Sequence, residues 1–564
     1  MSNHSNPHIC QCLARLSTLR RESVVTIAGN RRKTGQQFVE SVLSLACGLL
    51  GLGLRIGDVV AISAFNSDWY LEWLLAVAYV GGIVAPLNYR WSFEEVKLAM
   101  LITRPVMLVT DGSSSHWYSK LQDNAINSLR WHISLDWPSS GSSCKWNVLN
   151  IAKLKQHSVE NVPPNYAWAP EDAVIICFTS GTTGKPKGVT ISHSALITQS
   201  LAKIAIVGYC EDDVYLHTAP LCHIGSLSSA MTILLLGGCH VLIPKFEAKS
   251  ALEGIEQYHV TSLITVPAIM DSLLSLIRVK KSWKGKESMM KILNGGGGLS
   301  TELIKDAIKF FPRAKLLSAY GMTETCSSLT FMTLYDPTFD NPGSSLHTLG
   351  LAKSNTVPQP QGVCVGLPAP HVEMKICVDD SSHIGRILTR GPHTMIGYWN
   401  LNTSGTSKSS DVVWLDTGDI GCIDDYGYLW LIGRTNNRIK SGGENVYPEE
   451  VEAILLRHPG LTAIVVLSIP DAHLTEMVVA CVQLRENWKW CDRNLKSSAE
   501  NKELMISSDI LRQYCRDEKL TRFKIPKIFI LWRKPFPLTT TGKIRRDQVQ
   551  REVMSQLQSF PSNL

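Results

Sequence analysis

Thr179-Ser180-Gly181-Thr182-Thr183-Gly184-Lys185-Pro186-Lys187-Gly188 follows the apolar, β-branched run Ala173-Val174-Ile175-Ile176-Cys177-Phe178, which predicts a buried strand. The ten residues hold three glycines, three threonines, one serine and two lysines. Glycines let backbone amides close around a phosphate, hydroxyls donate to its oxygens, and lysines bring positive charge. The stretch reads as a loop that grips a polyphosphate. A Walker A loop needs G-x-x-x-x-G-K-[ST], whereas here Gly181 and Gly184 are three apart and Lys185 precedes proline, which excludes a P-loop NTPase. A solvated Gly/Thr turn is the plain alternative, and ten consecutive positions of this make-up after a strand speak against it.

Five further segments lie downstream, in order. They are Leu221-Cys222-His223-Ile224-Gly225-Ser226 after Ala219-Pro220; Leu293-Asn294-Gly295-Gly296-Gly297-Gly298-Leu299; and Ala319-Tyr320-Gly321-Met322-Thr323-Glu324. Next come Trp414-Leu415-Asp416-Thr417-Gly418-Asp419, with Gly433-Arg434 beyond it, and Leu538-Thr539-Thr540-Thr541-Gly542-Lys543-Ile544. Taken singly, each has an ordinary reading: a satisfied histidine, a tight turn, a helix cap, a Thr-Gly-Asp loop, a solvated lysine. Four consecutive glycines exceed the needs of a tight turn and suit a slot for a flat adenine or aryl group. In this order and spacing the segments resemble the adenylate-forming superfamily: acyl-CoA synthetases, luciferases and peptide-synthetase adenylation domains. The resemblance runs over roughly residues 9–546.

The resemblance implies two half-reactions, carboxylate plus Mg-ATP to acyl-adenylate, then CoA thiol displacing AMP. Thr179, Ser180, Gly181, Thr182, Thr183, Gly184 and Lys187 would hold the phosphates, with Thr183 and Lys187 acting in catalysis. Tyr320 and Gly321 would face adenine, Tyr320 stacking on it, and Thr323 would bond the α-phosphate. Glu324 would hold Mg²⁺, an ion that takes one or two carboxylates plus substrate phosphates. Asp419 suits a ribose diol, and Arg434 gives a second ribose or phosphate contact. His223, with Ser226 and Gly295 to Gly298, would lie beside the acyl group. Lys543 would reach the carboxylate and α-phosphate, placing charge where the pentavalent phosphorus develops it. Asn436, where the family usually has Asp or Lys, would be the hinge, and Ser441, Gly442 and Gly443 would flank the pantetheine arm of CoA.

Segments such as SGGENVYPEEVEA, LCHIGSLSSAM and ILNGGGGLS look most like 2-succinylbenzoate–CoA ligases, which serve naphthoquinone synthesis. Such a substrate has two carboxylates, and the one that is not activated needs a cation or several donors when buried. Hydroxyls on Ser226, Ser228 and Ser229, or a nearby lysine, are the candidates. Another aryl or fatty acyl-CoA ligase shares every motif; a non-catalytic nucleotide- or CoA-binding protein is the alternative from a different class.

Composition agrees. At 564 residues the chain predicts at least two domains. The resemblance places an adenylating domain at 1–433, a hinge at 434–438 and a small mobile domain at 439–564. The expected architecture is α/β: parallel-rich sheets covered by helices, a β-rich subdomain over 363–432, and a small α+β C-terminal domain. Net charge is +7 with dispersed Lys and Arg, so no nucleic acid is expected, and no apolar run is long enough for a membrane span. Fifteen cysteines without framework or metal spacing predict reduced thiols. Ser562-Asn563-Leu564 resembles the S-K-L address read by the peroxisomal import receptor. Residues 1–21 hold no acid and include Arg15, Arg20 and Arg21, which makes the plastid the second expectation. The helical periodicity of residues 9–19 nonetheless assigns that segment to the fold. Residues 113–162, polar and Ser-rich, are expected to be loop-dominated, 336–361 to be loop, and 486–507 a hydrophilic insertion.

Overall fold

The computed structural model describes residues 7–114, 117, 120–121, 126–136, 147–155, 163–179, 186–339, 362–378, 383–400, 413–441, 444–471, 474–491, 504–518, 520–539 and 543–558. The chain forms two compact units. The first comprises Met1–Asn355, Val365–Glu373 and Thr389–Leu415; the second comprises Thr356–Cys364, Met374–Leu388 and Asp416–Leu564.

In the first unit, apolar β-branched runs become strands buried on both faces, as parallel sheets require. One sheet runs in the order Thr330–Tyr335, Lys315–Tyr320, Lys291–Asn294, Ser262–Thr265, Val214–His217, Cys239–Leu242, Val24–Ala28 and Arg31–Thr34. Between Lys315–Tyr320 and Val24–Ala28 every pairing is parallel. The other sheet runs Gly397–Tyr398, Lys187–Ser192, Ala173–Thr179, Ile83–Pro86, Val59–Ser63, Met107–Thr110, Trp131–Ser134 and Asn147–Asn150. Helices Gly35–Gly51, Asp68–Tyr79 and Phe93–Thr103 alternate with these strands. Thr34 with Gln37 and Ser92 with Glu95 close capping boxes at two of the helix starts, satisfying amides that the helix itself cannot.

The core reaches almost to the chain's beginning: Ile9, Cys10, Cys12, Leu13 and Leu16 are buried, so the residues 9–19 belong to the fold as expected. Helix Asp68–Tyr79 buries nearly every side chain, including Glu72, whose carboxylate is held between Lys33 and Lys155.

The expectation of loop over 113–162 was too plain. Strands Trp131–Ser134 and Asn147–Asn150 extend the second sheet in parallel. Polar residues hid them: His132 is buried against the Thr110 hydroxyl at 2.7 Å, and burial pulls its pKa down to about 4. Residues 340–361 of the second expected loop lie outside the described residues.

Strands Glu373–Cys377, Gly385–Arg390, Leu415–Ile423 and Leu429–Arg434, whose residues fall mostly in the second unit, lie side by side, the β-rich element anticipated from the sequence. Farther on, Glu444–Val446, Ile439–Ser441, Thr475–Leu484 and Leu461–Asp471 form a sheet, to which Ile528–Leu531 adds in parallel. Period-two alternation covers both of its faces. Ile464, Val466, Val478, Ala480 and Val482 share one core with Val451, Leu455 and Leu511 of helices Pro448–Leu455 and Ser508–Asp517. Val465, Leu467, Val479 and Cys481 share the other with Val549 and Val553 of helix Arg546–Gln558. The hydrophilic insertion has structured ends: Trp488–Trp490 pairs with Leu504–Ile506, and Trp488 and Trp490 pack on the first of these cores. No disulfide joins the described cysteines, and no helix of the described residues is long and apolar enough to cross a membrane.

Candidate functional site

Parallel strands place their ends on one edge, and in open α/β sheets ligands bind outside the carboxyl ends. Three of the predicted segments start there. Strand Val214–His217 leads to His223, Lys291–Asn294 opens into the glycines, and Lys315–Tyr320 ends on the tyrosine itself. Asn294 stands level with Thr265 and Ser318 on the flanking strands, which fixes the register of that edge.

The segment expected to grip phosphate connects the antiparallel strands Ala173–Thr179 and Lys187–Ser192, with Thr179 and Lys187 as cross-strand partners. Ser180, Gly181, Thr182, Thr183 and Gly184 lie outside the described residues. The short helical turn Thr323–Thr325 packs against this hairpin, and its Glu324 is buried. The Glu324 Oε1 accepts a hydrogen bond from Tyr398 Oη at 2.9 Å, while the Lys187 ammonium sits 5.2 Å from the centre of the Tyr398 ring. Strand Gly397–Tyr398 reaches this position by pairing with Val189 and Thr190. Lys187, Tyr398 and Glu324 therefore form one cluster. Burial, and then the Glu324 carboxylate, push the Tyr398 phenol well up, so it keeps its proton and donates. A carboxylate with one oxygen engaged by a phenol retains the other for a hard cation, so Glu324 fits Mg²⁺ held jointly with substrate phosphates.

Gly321 has a packing reason. A Cβ there would lie 1.7 Å from the Ser327 carbonyl oxygen, because the chain doubles back through Cys326 and Ser327, at φ of 52° and 109°. Non-glycine residues at such angles store strain, commonly at functional sites. The four glycines behave otherwise. A Cβ on Gly295 or Gly298 would meet nothing within 4 Å, and only Gly296, at φ +71°, needs glycine for its backbone. The protein's own packing thus leaves an open strip where a slot was expected. Asn294 shapes it by donating to the Gly297 carbonyl at 2.7 Å.

His223 is the half-buried N-cap residue of helix Ile224–Leu236. Its loop is pinned by Asn66, which accepts from the Leu221 amide at 2.8 Å and donates to the Ala219 carbonyl at 3.1 Å. Ser226 is buried and spends its hydroxyl proton on that same carbonyl at 2.9 Å.

In the second unit, Asp419 and Arg434 are cross-strand partners, with Arg434 Nε 3.1 Å from Asp419 Oδ1. Asp419 is almost buried and Arg434 half exposed, a fixed carboxylate beside an accessible fork of donors. Lys543 stands exposed on a turn closed by the Leu538–Ile544 bridge and by the Thr539 amide donating to the Lys543 carbonyl at 2.7 Å. Asn436 falls in the one-turn helix Thr435–Asn437, where Asn437 donates to Glu449 Oε1 at 2.7 Å. Ser441 is buried at the end of strand Ile439–Ser441; Gly442, Gly443 and Ser562-Asn563-Leu564 lie outside the described residues. Tyr398 is the member of the cluster that the sequence reading missed.

Residues 15–399 match the family described as AMP-binding enzyme, and residues 450–543 match the AMP-binding enzyme C-terminal domain. The chain is 56% identical, over all of its length and all of the relative's, to the chloroplastic/peroxisomal 2-succinylbenzoate–CoA ligase of Arabidopsis thaliana. Those are the same two compartments that the sequence ends suggested. Among solved structures it is similar to the o-succinylbenzoate-CoA synthetase (MenE) of Bacillus subtilis with its acyl-adenylate intermediate bound. That likeness has a TM-score of 0.73 and 25% identity, and covers 97% of this chain and 98% of the other. The same Bacillus enzyme with ATP and magnesium gives a TM-score of 0.72 at 25% identity, covering 96% and 99%.

Proposed function

Because the chain belongs to the AMP-binding enzyme family, we propose that it joins 2-succinylbenzoate to CoA at the expense of ATP, by way of an acyl-adenylate, releasing pyrophosphate and AMP. The observation that carries this reading is the 56% identity over the full length of a plant 2-succinylbenzoate–CoA ligase. The pathway served is naphthoquinone synthesis, the compartment the peroxisome with the plastid second, and import would use Ser562-Asn563-Leu564.

The substrate oxygen is already a nucleophile, so the protein's task is positioning and charge stabilisation. The loop from Thr179 to Lys187 grips the polyphosphate. Tyr320 and Gly321 face adenine, Thr323 the α-phosphate, and Asp419 with Arg434 the ribose. Glu324, oriented by Tyr398, would hold magnesium, which when bound would supply charge neutralisation on the phosphates. His223, Ser226 and the strip from Gly295 to Gly298 flank the acyl group, the open strip admitting a flat ring. Lys543 compensates the charge developing at the α-phosphorus. Residues 439–564 then act as the mobile domain turning about Asn436, after which Ser441, Gly442 and Gly443 line the path of the CoA thiol.

The test is pyrophosphate release from Mg-ATP with 2-succinylbenzoate, benzoate, 4-coumarate, succinate and a medium-chain fatty acid, with and without CoA. Turnover confined to 2-succinylbenzoate, ending in a CoA thioester, is expected. Turnover only with another acid would discard this substrate while keeping the two-step chemistry.

A further inference from the structure

A lysine with no solvent exposure sits on helix His193–Val207. Lys203 Nζ donates to Ser228 Oγ at 2.6 Å and to Ser229 Oγ at 3.0 Å. An ammonium has three N–H donors, and the third is served only by long contacts, 3.4 Å each, to the Gly225 carbonyl and Ser327 Oγ. No carboxylate of a described residue pairs with it. Burial pulls its pKa down to about 7, as expected for a cation that has lost its water and gained no anion.

The under-used donor faces the accessible side. Ser228 and Ser229 are fully buried, whereas Gly225 and Ser327 are both half-buried. Gly225 lies two residues after His223, and Ser327 three after Glu324, so the site's own motifs bracket the ammonium. A Cβ on Gly225 would meet only Ile264 Cδ1 at 3.8 Å and Ser327 Oγ at 4.0 Å, so packing does not demand glycine there. Ser327 is held at φ of 109°, a strained backbone that presents its hydroxyl to the same spot. Ser228 and Ser229 donate their own protons to the Gly225 carbonyl, at 3.2 and 3.0 Å. They can therefore only accept from Lys203 and cannot serve an anion themselves.

We propose that Lys203, with the Ser327 hydroxyl, receives the ring carboxylate of the substrate, the one that is not adenylated. This rests on the proposed function above and names the residue that distinguishes a dicarboxylate from a plain aroyl acid. A buried carboxylate would complete the ion pair that folding leaves half-made.

The experiment compares 2-succinylbenzoate with 4-oxo-4-phenylbutanoate, which keeps the succinyl arm and the ring but lacks the ring carboxylate. Pyrophosphate release is measured for the wild type and for Lys203→Met, together with KM for ATP and the melting temperature. Replacing a buried charge by an apolar chain of similar volume is commonly tolerated. The expected result is a KM for 2-succinylbenzoate raised about 100-fold, as for loss of a charged hydrogen bond, an unmoved KM for ATP, and a preference between the two acids that collapses by the same factor. An equal loss on both acids would make Lys203 a structural clamp between helices and overturn the proposal. So would an unchanged KM for 2-succinylbenzoate. If Lys203→Met does not fold, Ser327→Ala decides: a loss of about fivefold on the dicarboxylate alone supports the assignment, and an equal or absent effect removes it. A wild type inert to 2-succinylbenzoate but active on another acid would defeat the proposed function itself, an outcome separate from any behaviour of the variants.

Discussion

Two glycines of the site are glycine for different reasons, and substitution separates them. Gly321→Ala drives a methyl into the Ser327 carbonyl oxygen, and backbone cannot yield cheaply. The expected outcome is loss of soluble, cooperatively melting protein. Gly295→Ala meets open space, so the melting temperature should hold while KM for the acid or for ATP rises; a variant with wild-type kinetics would empty the slot of meaning. Tyr398→Phe removes one hydrogen bond to Glu324 and should lower the rate of pyrophosphate release about tenfold, the weight of a hydrogen bond to a charged group, with little change in stability. Tyr320 and Glu324 were legible in the sequence because they sit in one short run. Tyr398 was not: it joins Glu324 across 74 positions of chain, through a two-residue edge strand that leaves no periodic trace. Lys203 was hidden differently. A lysine in a helix reads as solvated face until two remote segments close over it.

At the scale of elements, helix His193–Val207 ties together regions far apart in the chain. Gln199 donates to the carbonyls of Ser328 and, at 3.4 Å, Thr325, and Lys203, one turn on, reaches Ser228 and Ser229. Residues four apart share a helix face. At its start, His193 Nδ1 accepts from the Ile9 amide at 3.2 Å and stacks on His8, which accepts from the Cys10 amide at 3.1 Å. Both rings must be neutral to accept. Burial, the larger cause in each, lowers the pKa of His193 to about 2 and that of His8 to about 4, from the ordinary value of 6.5. The folded pKa lies below the unfolded one, so the unfolded chain takes up protons first. This stability is complete above about pH 6.5 and is lost as pH falls, toward about 4 for His8 and about 2 for His193. The urea midpoint should drop between pH 7 and 5, and His8→Asn with His193→Asn should flatten that slope; an unaltered slope would exclude these rings as its source. Alternating elements of the first unit followed from hydrophobic period and turn residues. Strands Trp131–Ser134 and Asn147–Asn150 escaped because their place is set by a neighbouring strand, not by their own composition.

For the whole molecule, division of labour between the half-reactions is the property to test. Lys543→Ala should abolish pyrophosphate release while largely sparing thioester formation from pre-made acyl-adenylate, as read by CoA consumption. Equal loss of both would overturn separate roles for Lys543 and for the segment around Ser441. The ordered motifs made the architecture readable over nearly the full length, since several of them sit at or just beyond strand ends: Thr179, Gly295, Tyr320 and Arg434. What sequence could not show is how the ladder supports the loop it carries.

That ladder holds Thr179 opposite Lys187, and the pairing continues to Ala173 and Ser192. Both ends of the glycine-rich segment are therefore anchored independently of its interior. A protease nick inside the loop would leave two strands still hydrogen-bonded in the sheet, and the product would run as one particle in solution. Damage at that point would leave the native particle nearly unchanged in mass and would surface as missing turnover, the two fragments parting only once the chain is denatured, since no disulfide joins the described cysteines.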